Sequence, residues 1–125
     1  MTLTYEEASD RETSIGSPVS IIIWSFISDA AGDASEQTKK VSGKVKRMVT
    51  NPDNTDTPSA NWDLTITDED GVDILEGEGA NRDPAGAGTS EGYAFTISEL
   101  IASKLTFTVA NAGAAKKGVV KLYLT

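Results

Sequence analysis

Asn61-Trp-Asp-Leu-Thr-Ile-Thr-Asp-Glu-Asp-Gly-Val-Asp-Ile-Leu75 decides the class of this fold. Trp62, Leu64 and Ile66 alternate with Asp63, Thr65 and Thr67, the two-residue period of a strand with one dry face and one wet face. Asp70-Gly71 is a tight-turn dipeptide, and Val72 to Leu75 resumes the apolar character. Strand, acidic turn and strand together read as a β-hairpin.

The rest of the chain repeats that texture. Thr2 to Ala8 alternates weakly, as a short strand or ordered arm, and Ser9 to Pro18 is polar and turn-rich. Val19 to Asp29 is rich in β-branched and aromatic residues. It is apolar on both faces: Val19, Ile21, Ile23 and Ile27 on one, Ile22, Trp24 and Phe26 on the other. Thr38 to Thr50 is a long strand with Val41, Val45 and Val49 inward, Lys44, Lys46 and Met48 outward, and a bulge expected at Gly43. Glu76 to Gly92 is a long irregular segment carrying Gly77, Gly79, Gly86, Gly88 and Gly92. Tyr93 to Ile97 is a strand, Ser98 to Ala102 has the length of one helical turn, and Lys104 to Ala110 and Val119 to Leu124 are further strands. The expected fold is all-β, an antiparallel two-sheet sandwich of jelly-roll or immunoglobulin-like type with seven or eight strands. Residues 19–125 form its single domain, and residues 1–18 an N-terminal arm or edge strand.

Composition excludes several chemistries. A chain of 125 residues buries about two-thirds of its unfolded surface, enough for a core without staples. It has no cysteine, hence no disulfide framework or thiolate metal site, in keeping with synthesis in a reducing cytoplasm. It has no histidine, so Ser-His-Asp and Cys-His catalysis are impossible. The net charge of −8 opposes binding to nucleic acid and to anionic membranes. The N-terminus has no basic stretch of the kind that opens a secretory signal, and the apolar run Ile21 to Ile27 is too short to span a bilayer.

Candidate sites are few. Asp68-Glu-Asp70-Gly71-Val-Asp73 invites a calcium reading, but the spacing fails the helix-loop-helix calcium pattern and turn chemistry alone accounts for it. Gly77-Glu-Gly79-Ala-Asn81-Arg82 lacks the following helix that a phosphate loop needs. Arg82, the one cation among ten carboxylates between Asp53 and Asp83, is expected to pair with nearby carboxylates, and such a pair either pins the long loop or lies at a subunit contact. No carboxylate pair is marked for glycoside hydrolysis. Trp24 and Trp62 read as core, whereas Tyr93 and Tyr123 are the aromatics expected at the surface, where sugar binding would need them. No cofactor, metal or catalytic residue is assigned. The positions that stand out are a docking set: the two-sided strand with Ile21, Ile23 and Ile27, whose outer side is covered either by a subunit or by the chain's own segment Glu76 to Gly92; the basic run Lys39, Lys40, Lys44, Lys46 and Arg47, read either as a docking pole or as a solvated sheet face; and Leu3 and Tyr5 of the N-terminal segment.

A family resemblance adds to this reading. Trp24-Ser-Phe-Ile-Ser-Asp-Ala-Ala-Gly32, Ser42-Gly-Lys-Val-Lys-Arg-Met-Val-Thr-Asn-Pro-Asp53, the hairpin with Gly79-Ala-Asn-Arg-Asp83, and Val109-Ala-Asn-Ala-Gly113 before a final strand resemble small tailed-bacteriophage virion proteins. The likeness covers the chain from about residue 19 onward and is a pattern of strands and turns. It implies a non-enzymatic structural role in the virion, assembled in the host cytoplasm. The first form of that role is a capsid decoration or cement protein clamping neighbouring capsid subunits, with the major capsid protein or other virion proteins as partners and a homo-oligomer, a trimer at local threefold positions, as the working unit. The alternative is a head-fibre or tail-associated module that binds a receptor or glycan.

Overall fold

The computed structural model describes residues 2–8, 19–82 and 91–125. The turn-rich segment 9–18 and residues 83–90 of the long loop lie outside them. The described chain is all-β. Its six strands are β1 (Thr2–Ala8), β2 (Val19–Ile27), β3 (Ala34–Pro52), β4 (Asp63–Thr67), β5 (Glu91–Ala110) and β6 (Lys117–Leu124). They form one antiparallel sheet in the order β1-β2-β6-β3-β5-β4.

The expectation of two sheets with seven or eight strands is corrected by two long strands. β3 and β5 run 19 and 20 residues. They carry the chain through a bend without breaking the ladder, so both layers belong to one sheet. The bend sits at register shifts in β3, between Gln37 and Lys40 and between Val45 and Arg47, where an extra residue increases local twist. Thr38 is buried at the first shift, and its hydroxyl accepts the Leu105 N–H at 2.9 Å. Gly43, at φ 138°, lies between the two shifts. A Cβ there would sit 2.9 Å from the Thr125 carbonyl oxygen, so glycine lets the end of β6 close on β3.

The curled sheet packs its inner face on itself. Trp24 of β2 meets Phe107 of β5 with ring centroids 5.7 Å apart, and Phe26 meets Trp62 at 5.4 Å. Neither pair belongs to adjacent strands, so these contacts record the closure of the two halves. Trp24, Phe26, Trp62, Leu64, Ile66, Leu105, Phe107, Val120 and Leu122 fill the core. The alternation in β2 and β6 holds residue by residue: Ile22, Trp24 and Phe26 face in, and so do Val120, Leu122 and Leu124.

Three local expectations are corrected. Ser98 to Ala102 is strand within β5, not a helical turn; Leu100 pairs with Lys44 and points out while Ile101 pairs with Gly43 and is buried. In β3 the bulge beside Val45 shifts the phase by one residue, so Met48 is buried and Val49 is half-buried on the outer face. The hairpin forms only its first half. The chain reverses at Asp68, whose N–H donates to Val72 O, and Ile74 N–H returns to Ile66 O at 2.8 Å. Residues 74–81 then make successive turns rather than a strand. Asp73 explains this: its carboxylate accepts the N–H groups of Ile66, Leu75 and Gly77, replacing a straight ladder with a local wrap. Ile74 and Leu75 are consequently both buried, which a period of two does not allow.

The wrap covers β4, a terminal strand of the sheet. Leu64 N–H donates to Gly79 O at 2.8 Å and Arg82 N–H to Trp62 O at 2.6 Å. Asp63 adds Asn81 N–H at 3.0 Å and the Asn111 side-chain amide at 2.6 Å. Backbone groups that would template another strand are thereby occupied.

Candidate functional site

The most distinctive surface is the outer face of β2, β6 and the second half of β3. Register sets it in rows. Ile21 lies opposite Tyr123, which lies opposite Arg47; Ile23 opposite Lys121, then Val49; Ser25 opposite Val119, then Asn51; Ile27 opposite Lys117. Side chains directly opposite on adjacent strands share one face. Ile21, Ile23, Val49, Val119 and Tyr123 are half-buried, and Ile27 is 49% exposed. The result is a continuous apolar stripe crossed by cations. The Arg47 guanidinium lies 5.9 Å from the Tyr123 ring centroid, within cation–π range.

At the Ile27 end the stripe opens into a depression of about 680 Å³ lined by Ile27, Asn51, Asp53, Asn54, Thr55 and Lys117. The loop walling it is held by Asp53, whose carboxylate accepts the N–H groups of Thr55 and Asp56 at 3.0 and 2.7 Å. Those bonds hold the Asp53 pKa below its ordinary value, the Asp56 N–H foremost. Lys117 Nζ lies 3.4 Å from the Asp56 carboxylate across the same loop.

The docking set named from sequence does not stay together. Ile21, Ile23, Ile27 and Arg47 share the outer face. Leu3 and Tyr5 pair with Trp24 and Ile22, so they lie on the opposite face of the sheet. Leu3 packs on the core, and Tyr5 remains 37% exposed beside β3, with Lys39 Nζ 4.4 Å from its ring centroid. Lys40 pairs with Lys104 and Lys44 with Leu100, on the outside of the other layer. Lys46 is exposed at the bulge. The bend in β3 thus distributes one basic run over three surfaces. Val49, Val119, Lys121 and Tyr123 complete the outer face and were not singled out for it. The signal for the β6 members was present, because Val120, Leu122 and Leu124 face in and their neighbours must face out.

The acidic segment is occupied with its own backbone. Asp68 accepts the N–H groups of Asp70 and Val72. Glu69 docks on β5: its N–H donates to Ser103 Oγ and its carboxylate accepts the Lys104 N–H at 2.8 Å. That last bond is the main cause of a lowered Glu69 pKa. Among the described residues no group of three or more carboxylates is arranged to hold a metal ion. Arg82 is buried, and its guanidinium is turned onto Thr50 Oγ1, the carbonyls of Glu78 and Glu91, and the Glu91 carboxylate at 3.0 Å, contacts within its own chain. Trp24 and Trp62 are fully buried; Tyr123 is half-buried, and the Tyr93 side chain lies outside the described residues.

These turn carboxylates set an acid limit. Asp29 accepts Asp33 and Ala31 N–H, and its pKa is lowered as well, the Asp33 N–H foremost. A depressed folded pKa gives stability that is complete above the unfolded value and lost as pH falls through the folded one. With no histidine to titrate, the melting temperature is expected to stay level from about pH 7.5 to 5.5 and to fall below about pH 4. Asp53→Asn should flatten the acid limb. A main transition near pH 6 in a melting series would contradict this assignment.

No known family model matches the chain, and no curated protein sequence matches it.

Proposed function

We propose that the chain is a non-enzymatic virion structural protein of a tailed phage, a decoration or cement protein that seats on the head and clamps neighbouring capsid subunits. The observation that carries this reading is the outer face of β2, β6 and β3. Monomers rarely leave a continuous apolar stripe of this kind in water, and such stripes mark partner surfaces. Its cations, Arg47, Lys117 and Lys121, are spread among the aliphatic side chains. That arrangement suits an acidic, partly apolar shell surface: charges steer the encounter and apolar burial holds it. Clamping then means that separating two shell subunits must also re-expose this face. The family resemblance supports the same reading, and the net charge of −8 keeps the chain off nucleic acid and membranes.

The test is co-sedimentation with heads of the tailed phage whose genome carries the gene. The wild-type chain should pellet with the heads in a fixed ratio. Ile23→Lys combined with Ile27→Lys should abolish pelleting while keeping a cooperative melting transition, since both residues lie outside the core. Failure of the wild type to bind heads, or undiminished binding by the double variant, would refute the reading.

A further inference from the structure

We propose that the depression at the Ile27 end of the outer face is a sugar-binding site, which takes a neutral pyranose unit by its hydroxyls and by the C–H face of its ring. The inference stands independently of the shell reading, since it needs no capsid and its test uses none. Ile27 borders both surfaces, so a bound sugar and a seated shell exclude each other at this end.

The depression has a cause in the sequence. The outward residues of β2 are Ile21, Ile23, Ser25 and Ile27, and Ser25 is the short member of that series. Register sets Ser25 beside Val119, and Val119 beside Asn51. A hydroxyl and a carboxamide thus flank Val119, where the next row has Ile23 and Val49 around Lys121. The chain leaving β3 then rises as a wall, and the wall is fixed before any guest arrives. Asp53 N–H donates to Lys117 O at 3.1 Å, Lys117 N–H to Asp56 O at 2.9 Å, and Thr57 Oγ1 to Asp53 O at 2.7 Å. The enclosed volume of about 680 Å³ is that of a small-molecule site, for which about 300–1,000 Å³ is usual.

The polar groups around it are free to bind. Both N–H bonds to the Asp53 carboxylate go to Oδ2, which leaves Oδ1 over. The side chains of Ser25, Asn51, Asn54 and Thr55 line the same space and make no hydrogen bond to any described residue.

This set selects its guest. Asp53 repels an anion, and Lys117, held 3.4 Å from Asp56, opposes a cation. A wholly apolar guest would strip water from these polar groups and give them nothing in return. Extended peptides bind mainly through backbone bonds, and the backbone of the floor is already spent in the ladder of β2, β6 and β3. Recognition therefore falls to side chains. Carboxamides and hydroxyls both donate and accept, and a carboxylate accepts. Neighbouring sugar hydroxyls, which also do both, match that inventory. Ile27 and Val119 supply an apolar floor for the C–H face of the ring.

The probes are the methyl glycosides of glucose, galactose, mannose and N-acetylglucosamine, each titrated to tens of millimolar into the 15N-labelled full chain. At least one is expected to give saturable shifts at the amides of residues 53–55 and 117–119. Asn51→Ala with Asn54→Ala, both exposed and outside the core, should weaken that glycoside about ten-fold and leave the melting temperature in place. Arg47→Ala, at the far end of the face, should leave its binding unchanged. Inorganic phosphate should give no saturable shift at the same amides. Silence of all four glycosides at these residues, undiminished binding by the double variant, or saturable binding of phosphate there would overturn the proposal.

Discussion

Replacing Arg82 with methionine is expected to lower the unfolding free energy by about 3 kcal/mol. The side chain is 5% exposed and makes contacts to three separate segments. Nε donates to Thr50 Oγ1 in β3 at 3.0 Å, Nη1 to the Glu78 carbonyl at 3.2 Å, and Nη2 to the Glu91 carbonyl at 2.9 Å. The Glu91 carboxylate lies 3.0 Å from Nε. Methionine fills much of the volume but takes the Arg82 donor from the Glu78 carbonyl and the Thr50 hydroxyl, whereas the Glu91 carbonyl keeps the Thr50 Oγ1 donor at 3.4 Å; an unsatisfied buried acceptor costs about 1–3 kcal/mol. Glu91 is 39% exposed, so water recovers part of its loss and the total stays below the sum. Burial lowers the guanidinium pKa, and Glu91 and then Glu78 oppose that shift, so the carboxylates are what offset its desolvation. Arg82→Lys should recover about 1 kcal/mol, because an ammonium keeps the charge but not the fork that reaches three segments. Urea unfolding of both variants measures this. An Arg82→Met variant within about 0.5 kcal/mol of wild type would show that the network positions the loop without stabilising the fold.

Arg82 also marks the limit of what a sequence makes legible. A lone cation among ten carboxylates marks a pair, and a pair is found. Its partners were not readable, because Glu78, Glu91 and Thr50 meet only once β3, the wrap and β5 are assembled. The same limit explains the sheet count. Alternation in Val19 to Ile27 and Val119 to Leu124 is local, and the burial of both strands follows it. Whether two apolar runs belong to one strand depends on the partner. Leu100 and Ile101 are strand because Lys44 and Gly43 lie opposite them, more than fifty residues earlier. A bulge is harder still, since one inserted residue in β3 exchanges the faces of Met48 and Val49 without changing the composition. The outer-face stripe was half legible: the two-sided apolar character of β2 announced it, while Val49 was hidden by that bulge.

Gly79→Ala tests the wrap over β4 and should cost about 3 kcal/mol. The position needs glycine for space, not for conformation. A Cβ there would be built into the Leu64 carbonyl and would come 2.9 Å from Leu75 Cδ1. The first obstacle is backbone of a core-facing strand and has nowhere to go. The loop must therefore lift, and lifting breaks the 2.8 Å bond from Leu64 N–H to Gly79 O and loosens the seat of Leu75 in the core. Gly77→Ala is the matched comparison. Gly77 has φ 83° with nothing within 4 Å of a built Cβ, so alanine there meets only conformational strain of about 1 kcal/mol. A larger loss at Gly79 than at Gly77 would establish that close approach, rather than backbone freedom, is what the glycine supplies. The lifted loop also bares β4, and a bared edge pairs with other chains. Light scattering should accordingly show concentration-dependent association for Gly79→Ala and none for Gly77→Ala. Equal stability losses with no association in either variant would mean that the turns after Asp73 do not protect the β4 edge.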